Sequence, residues 1–392
     1  MTNFAPATIN QLKEALQTAL ADNTTLSVQA SGTKAGLGAP HSYDATLDVS
    51  GLQGIISYEP EELIITAHAA TPLASIETAL AEKNQMLAFE APHVSTLYKT
   101  SHDGTIGGLL ATNLSGSRRI SAGAARDYLL GFEAVSGRGE IFRSGSKVMK
   151  NVTGYDLSKL MCGSFGTLAV MDEVTIKVLP APETSLTLII GCATVDQAGK
   201  AARHALQTAY EPSAAAILPK GAHPLSQSMD CALIRLEGVA VSVADRQSHL
   251  SDILGSYGMT DIIEGEPSQL LWQSLSDGAP VADKGNQIWR VSCAPTAGPA
   301  LLQSIQSHCD CTGYFDWAGG LLWLATDDVA AHRPIREALH AQGGGHATLM
   351  RADDQLRRTI SVFEPQDPAL AALNKRVQDS FDPHGILNPG RL

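Results

Sequence analysis

Basic residues are in short supply in this chain. Its 392 residues carry 28 Lys and Arg against 40 Asp and Glu, a formal net charge of -12. A nucleic-acid partner needs a basic face to neutralise its phosphates, so that class is excluded. No apolar run reaches the roughly 20 residues that cross a bilayer. The opening residues, MTNFAPATINQ, lack the basic-then-apolar pattern of a secretion signal, and a cytoplasmic protein is expected. Cysteines are few. Cys162, Cys192, Cys231, Cys293, Cys309 and Cys311 lie without framework spacing, which reads as reduced thiols rather than disulfides. The sequence shows neither an internal repeat nor a low-complexity tract.

Several chemical signatures are also missing. A dinucleotide fingerprint needs G-x-G-x-x-G between a strand and a helix. Here Gly36-x-Gly38 follows a strand, but no third glycine arrives at the required spacing. There is no Gly-Lys-Ser/Thr phosphate loop, no G-x-S-x-G elbow and no H-E-x-x-H pair. His308-Cys309-Asp310-Cys311 puts two thiols on one side of an extended segment, but no second cysteine pair stands at zinc-finger spacing. The segment reads as structural, and no metal site is expected.

What is present is a core and a concentration of glycine. Apolar residues make up 44% of the chain. At about 150 residues per domain, two or three domains are expected. Thr8 and Gln11 resemble a capping box, with Ile9, Leu12, Leu16 and Leu20 at helical spacing behind them. A strand over Leu26–Ala30 runs into the glycine loop Ser31–Gly38, which reads either as a turn or as backbone N–H groups around a diphosphate. Short strands are expected at 46–49, 54–59 and 63–68, then a helix capped by Thr71 with Pro72 in its first turn. Residues 88–94 read as loop.

The stretch Gly104–Val178 is the densest in glycine, and glycine between apolar runs marks close backbone approaches. It holds Arg118 and Arg119, a hairpin turn at Ser136–Gly139, Tyr155-Asp156 and a β-rich end at 173–179. Adjacent loop arginines read first as solvated and second as partners for phosphate or carboxylate. Tyr155 and Asp156 read as a turn or a pocket wall. Pro180 and Pro182 suggest a domain boundary. Alternating strands and helices follow to residue 325, as in a separate α+β domain. A helix over Pro368–Phe381 then precedes the closing Phe381–Gly390.

Six motifs occur in a fixed order: Ser31–Gly38, Thr105-Ile106-Gly107-Gly108, Gly123–Asp127, Lys150–Leu157, Gly163–Leu168 and Phe381–Gly390. Together they resemble the FAD-linked oxidases with the vanillyl-alcohol-oxidase type of FAD domain. Within that family they look most like the smaller FAD-binding subunit of the glycolate oxidase (glycolate dehydrogenase) complex. The likeness is dense over 26–182, thin over 184–345, and returns at the C-terminus.

The resemblance implies an α+β fold: a two-subdomain FAD-binding domain over 1–182, an α+β cap domain over 183–345, and a segment over 346–392 that returns to the FAD domain. It implies noncovalent FAD. Ser31, Gly32, Thr33, Lys34, Ala35 and Gly36 would wrap the diphosphate, and Thr105, Gly107 and Gly108 would approach the diphosphate and ring. Asp127, Gly163, Gly166, Thr167 and Leu168 would lie near the adenosine half or the flavin edge, and Asn388 near the ring. It further implies a catalytic flavoprotein subunit and an iron–sulfur subunit as partners, a small 2-hydroxy acid as the complex's substrate, a non-oxygen electron acceptor, and peripheral association with the inner face of the cell membrane.

One departure stands out. Catalytic members carry His-x-Gly-Asp-Gly-Asn-x-His in the cap, and the nearest stretch here, Asp316–Trp323, has no histidine. A hydroxyl proton needs a base. The expectation is therefore a subunit that oxidises substrate only within its complex, with no catalytic residue assigned here. The competing readings are a self-sufficient 2-hydroxy-acid dehydrogenase and a non-catalytic assembly subunit.

Overall fold

The computed structural model describes residues 2–145 and 155–392. Lys150-Asn151-Val152-Thr153-Gly154, part of one motif, lies outside the described residues. The chain divides into two compact units. The first comprises Met1–Leu114, Ala124–Ala181 and Pro365–Leu392; the second comprises Ser115–Gly123 and Pro182–Glu364.

The first unit contains strands β1 (Thr2–Phe4), β2 (Leu26–Gln29), β3 (Ala45–Asp48), β4 (Ile55–Glu59), β5 (Ile64–His68), β6 (Gln85–Met86), β7 (Leu129–Ser136), β8 (Ile141–Gly145), β9 (Ala169–Lys177) and β10 (Leu179–Pro180). They form a parallel β1-β3-β2 sheet, an antiparallel β4-β5-β9-β7-β8 sheet and the β10-β6 pair. Helix Ile9–Ala21 starts where its sequence demands: Thr8 Oγ1 accepts from Gln11 N (3.3 Å), and Gln11 Oε1 accepts from Ala7 N (2.8 Å). Its face of Leu12, Leu16 and Ala19 packs with Leu26, Leu47, Val135, Val170, Ile386 and Leu387. Each fully buried leucine there contributes about 1.5–3 kcal/mol. That core explains why the tail comes back. Leu26 N donates to Ile386 O (2.7 Å), and Asn388 N donates to Leu26 O (2.9 Å).

Two local details refine the sequence reading. The hairpin turn forms as expected, with Gly139 at φ +70° and its N–H on Ser136 O (2.9 Å). The second helix, however, is Leu73–Ala81, and its cap is Pro72 rather than Thr71. The Thr71 hydroxyl is already used: it donates to His68 O (2.7 Å) and accepts from Gly54 N (2.8 Å), closing the preceding turn.

The second unit is one eight-stranded sheet in the order β14-β11-β13-β12-β16-β17-β15-β18. Its strands are β11 (Thr184–Cys192), β12 (Ala214–Leu218), β13 (Asp230–Gly238), β14 (Met259–Glu264), β15 (Gln287–Ser292), β16 (Thr312–Asp316), β17 (Leu321–Thr326) and β18 (His346–Arg351). It is a structural duplication. Each half runs strand, helix, strand, strand, helix, strand, and the two halves meet edge to edge at the Ile217↔Phe315 pair. The absence of a sequence repeat therefore hides a repeat of topology. Residue 345, where the sequence reading ends the cap, precedes β18, which pairs with β15 in this sheet.

Candidate functional site

In the first unit, the loop after β2 supplies a buried cation. Gly32 takes φ +72°, a conformation that glycine adopts without penalty, and Ala35 N closes on Gly32 O (3.0 Å). Ser31 Oγ and Thr33 Oγ1 lie 3.0 Å apart. The turn carries Lys34 inward, where it is 8% exposed. Its ammonium makes no hydrogen bond or salt bridge with any described residue. Burial pushes it down to about 8, with Asp103 opposing and Arg391 adding to the shift. A buried, unpaired ammonium costs several kcal/mol unless an anion joins it.

The second glycine cluster meets this cation. A Cβ at Gly104 would sit 2.7 Å from Lys34 Nζ and 2.8 Å from Thr33 Oγ1; one at Gly108 would sit 3.8 Å from the same ammonium. Thr105 caps helix Ile106–Thr112, its hydroxyl accepting from Gly108 N (3.2 Å). Gly32 faces open space, with nothing within 4 Å of a Cβ placed there. Gly107 differs from its neighbour. Its Cβ would meet Ala69 Cβ and Ala69 O at 2.7 Å each, so the chain's own packing excludes a side chain. Gly36 abuts the Tyr98 ring, 3.0 Å from a Cβ built there. Arg391, which the sequence reading passed over, donates to Lys34 O (2.8 Å) and so ties the tail to the loop.

The remaining sequence-picked residues gather at the other end of that helix, about 10 Å along at 1.5 Å per residue. Gly163 N donates to Leu110 O (3.1 Å) and Phe165 N to Ala111 O (2.9 Å). Gly163 and Gly166 take φ +90° and +69°. Thr167 Oγ1 donates to Ser164 O (2.7 Å), and Leu168 is buried. Asn388 is fully engaged with backbone: Oδ1 accepts from Val28 N (2.8 Å), and Nδ2 donates to Phe165 O (2.9 Å). It joins β2, the 163–168 turn and the tail. Asp127 accepts from Ala124 N (2.9 Å) and lies 3.5 Å from Lys159 Nζ. Asp156 caps helix Leu157–Met161, and Tyr155 is 91% exposed.

In the same unit a bulge at Asp172 puts Asp172 and Glu173 beside His68, and ligand atoms of the three lie within 4.8 Å of one another. His68 Nδ1 and Asp172 Oδ1 already pair at 3.0 Å.

In the second unit, Arg118 is not solvated as its loop position suggests. It is buried against Glu237 (2.7 Å), which also takes Arg235 (3.2 Å). Asp316 accepts from Ser117 Oγ (2.7 Å) and Trp317 N (2.7 Å). Cys309 and Cys311 are free thiols, pushed up by burial.

Comparison with known proteins agrees with this geometry. A family model for the FAD binding domain matches residues 3–145, and one for the C-terminal domain of FAD linked oxidases matches residues 360–392. The Glycolate oxidase subunit GlcE of Escherichia coli is 35% identical over 97% of this chain and 96% of its own length. The Glycolate oxidase subunit GlcD of Bacillus subtilis is 41% identical over 29% of this chain and 23% of its own. Among solved structures, alkyldihydroxyacetonephosphate synthase superposes with a TM-score of 0.71 at 16% identity, covering all of this chain and 77% of its own. A substrate-bound p-cresol methylhydroxylase gives 0.69 at 14%, covering 99% and 88%. These two likenesses are to the fold.

Proposed function

The chain belongs to the FAD-linked oxidases with the vanillyl-alcohol-oxidase type of FAD domain, and on that premise we propose that it is the FAD-binding subunit of a glycolate-oxidising complex in the cytoplasm. It works there beside a catalytic flavoprotein subunit and an iron–sulfur subunit, and electrons pass to a non-oxygen acceptor. The observation that carries this reading is the end-to-end similarity to a glycolate oxidase subunit. No helix among the described residues is long and apolar enough to cross a membrane.

The residues present fit the cofactor. The diphosphate of FAD is a dianion, and the first unit holds a buried ammonium, with no salt bridge to a described residue, beside a loop whose Gly32 opens on free space. Ser31 to Gly36, Thr105 and Gly108 hold the diphosphate, with Lys34 supplying the charge. Gly163 to Leu168 form the far end, kept in place by Asn388. When bound, FAD supplies the two-electron acceptor for hydroxy-acid oxidation. Binding is noncovalent: the 31–38 loop contains no histidine or cysteine, and the Cys162 thiol is pushed up to about 12 by burial, which leaves His102, beside the second glycine cluster, as the first suspect should a covalent link be found.

Neither Asp316 nor Tyr314 in the second unit is disposed to act as the base. Asp316 is the only ionisable group in Asp316–Trp323, and both its oxygens accept hydrogen bonds. Tyr314 is fully buried, donates to Leu275 O (2.5 Å), and is held well above its ordinary range by burial. The test is anaerobic mixing with glycolate, followed at the flavin band, for the yellow protein alone and with the histidine-bearing partner subunit. Bleaching is expected only with the partner. Rapid bleaching of the protein alone would establish a self-sufficient dehydrogenase; a colourless protein that takes up no FAD would leave only an assembly role. Acid precipitation should leave the flavin in the supernatant, and flavin in the pellet would refute noncovalent binding.

A further inference from the structure

The sheet of the second unit holds a guanidinium that the fold leaves unanswered. Arg290 stands in the middle of β15, whose six residues, Gln287–Ser292, contain no other charge. Cross-strand pairing sets it opposite Trp323 on β17 and Thr348 on β18. Alternation along the strand turns Trp289 toward helix His332–Ala341, where Arg336 lies over its ring (5.6 Å), and so turns Arg290 to the opposite face. There its guanidinium lies 4.9 Å from the Trp317 ring centroid and 6.0 Å from that of Trp323. It makes no hydrogen bond or salt bridge with any described residue. The contrast with its own sheet is sharp: Arg235 and Arg118 share the carboxylate of Glu237.

A second cation shares the same indole. Arg119 lies 5.0 Å from the Trp317 ring centroid. Two guanidiniums on one ring repel each other. Burial, with the Arg119 charge adding to it, pushes Arg290 down to about 10, against the opposing field of Asp316. Ring stacking occupies the face of a guanidinium and leaves its in-plane N–H fork free for a carboxylate.

The indole between them is held under strain. Trp317 and Ala318 both take φ +54°, a region that costs a non-glycine residue about 1–2 kcal/mol. The turn persists because Trp317 N donates to Asp316 Oδ1 (2.7 Å) and Trp317 Nε1 to Gly116 O (3.1 Å). Strain of this kind, held by surrounding bonds, accompanies sites that must present a side chain in one orientation.

We infer that Arg290, with Arg119 on the Trp317 indole, is a binding site for one carboxylate group, and that its ligand is a small 2-hydroxy or 2-oxo monocarboxylate. The choice of ligand rests on the proposed function; the site rests on the second unit alone. The negative field of Asp316 disfavours a phosphate dianion. The neighbouring indoles suit a short carbon chain. On the proposed function the site recognises without reacting, so that the cap keeps substrate recognition while lacking the histidines of its catalytic relatives.

The experiment titrates the purified full-length protein with glycolate, glyoxylate and acetate, following tryptophan fluorescence, with chloride as control. The wild type should show a saturable change with the carboxylates that weakens as salt rises. Arg290→Gln should bind about tenfold or more weakly, the loss of one charge-assisted pair, with Arg290→Lys in between because it keeps the charge and loses the fork. Should Arg290→Gln fail to fold, Arg290→Lys and Arg119→Gln carry the comparison. Wild-type affinity in both folded variants would overturn the site. So would a fluorescence response to the partner subunit with none to free carboxylates, which would make it a docking point for an acidic side chain. A yellow protein without a saturable response sinks this inference alone, whereas a protein that takes up no FAD but binds carboxylate sinks the functional reading and leaves the site standing.

Discussion

Replacing Gly107 by alanine separates two reasons for a glycine. The expectation from sequence is that Gly107 makes room for a cofactor; the structure gives it a different neighbour. A Cβ there would lie 2.7 Å from both Ala69 Cβ and Ala69 O, against the roughly 3.5–4.0 Å of an ordinary contact. The strand end cannot simply withdraw, because Gly107 N donates to Ala69 O at 2.7 Å. Overpacking of this size costs about 1–3 kcal/mol, and loosening that hydrogen bond about 1 more. A total of roughly 2–4 kcal/mol in a domain of about 150–250 residues lowers the melting temperature by roughly 5–15 °C. Gly32→Ala provides the contrast. Its Cβ meets nothing within 4 Å, so the cost is the φ of +72° alone, about 1–2 kcal/mol. The assay is thermal unfolding of the FAD-stripped and FAD-loaded proteins, with FAD affinity measured by flavin fluorescence. Gly107→Ala should lose stability in both forms, and its folded fraction should bind FAD much as the wild type does. Gly32→Ala should lose less stability and most of its FAD affinity. An alanine at Gly107 that leaves the stripped protein's melting temperature unchanged while abolishing FAD binding would refute the packing argument.

Three further outcomes are expected. Because burial holds Lys34 at about 8 in the free protein, the unfolded chain keeps its proton to higher pH, so the stripped protein gains stability as pH rises from about 8 toward 10.5, and Lys34→Met removes that rise; equilibrium unfolding against pH decides it. An anionic diphosphate pairs best with the protonated amine, so FAD affinity should fall above about pH 8 in the wild type but not in Lys34→Met, as read by fluorescence titration. Glu173 is raised by burial and by Glu133 and Asp172, so its ionisation disfavours the fold; Glu173→Gln should melt higher at neutral pH, and the gain should vanish below about pH 4, where both states are protonated, a uniform shift at all pH values counting against the cause.

The first unit was the more legible part of the chain, for a physical reason. Its glycines need positive φ or close approaches, and such requirements leave marks in sequence at Gly32, Gly139, Gly163 and Gly166. Capping left its mark at Thr8, whereas the cap at Thr105 went unread. Thr71 misled because a hydroxyl beside a helix start can serve the preceding turn instead. What spacing cannot convey is which neighbour a residue meets. Gly107 and Gly108 are adjacent in sequence, yet one presses on Ala69 and the other lies near Lys34. Arg391 and Asp103 were passed over because their roles depend on Lys34, some distance away along the chain. Arg118 read as solvated because Glu237, its partner, stands on a strand more than a hundred residues later.

The second unit was legible as elements and illegible as a site. Duplication accounts for both. A strand-helix-strand-strand-helix-strand half needs alternating apolar residues and two amphipathic helices, and many sequences meet that demand, so two halves can share topology without sharing residues. Relieved of sequence identity, the halves can diverge in the charge they carry. In the first half, Arg235 on β13 is paired with Glu237 and lies 4.9 Å from the Trp272 ring. In the second, Arg290 on β15 lies over indoles and makes no salt bridge with any described residue. A charge left unpaired on a sheet is costly unless something outside the fold completes it. The same reasoning applies to Lys34 in the first unit. Among the described residues, Lys34 in the first unit and Arg290 in the second are cations without a salt bridge, in a chain whose net charge is -12. Where acidic residues outnumber basic ones, a shortage of carboxylates cannot explain cations left without partners; their vacant pairing capacity is the property that binding an anion requires.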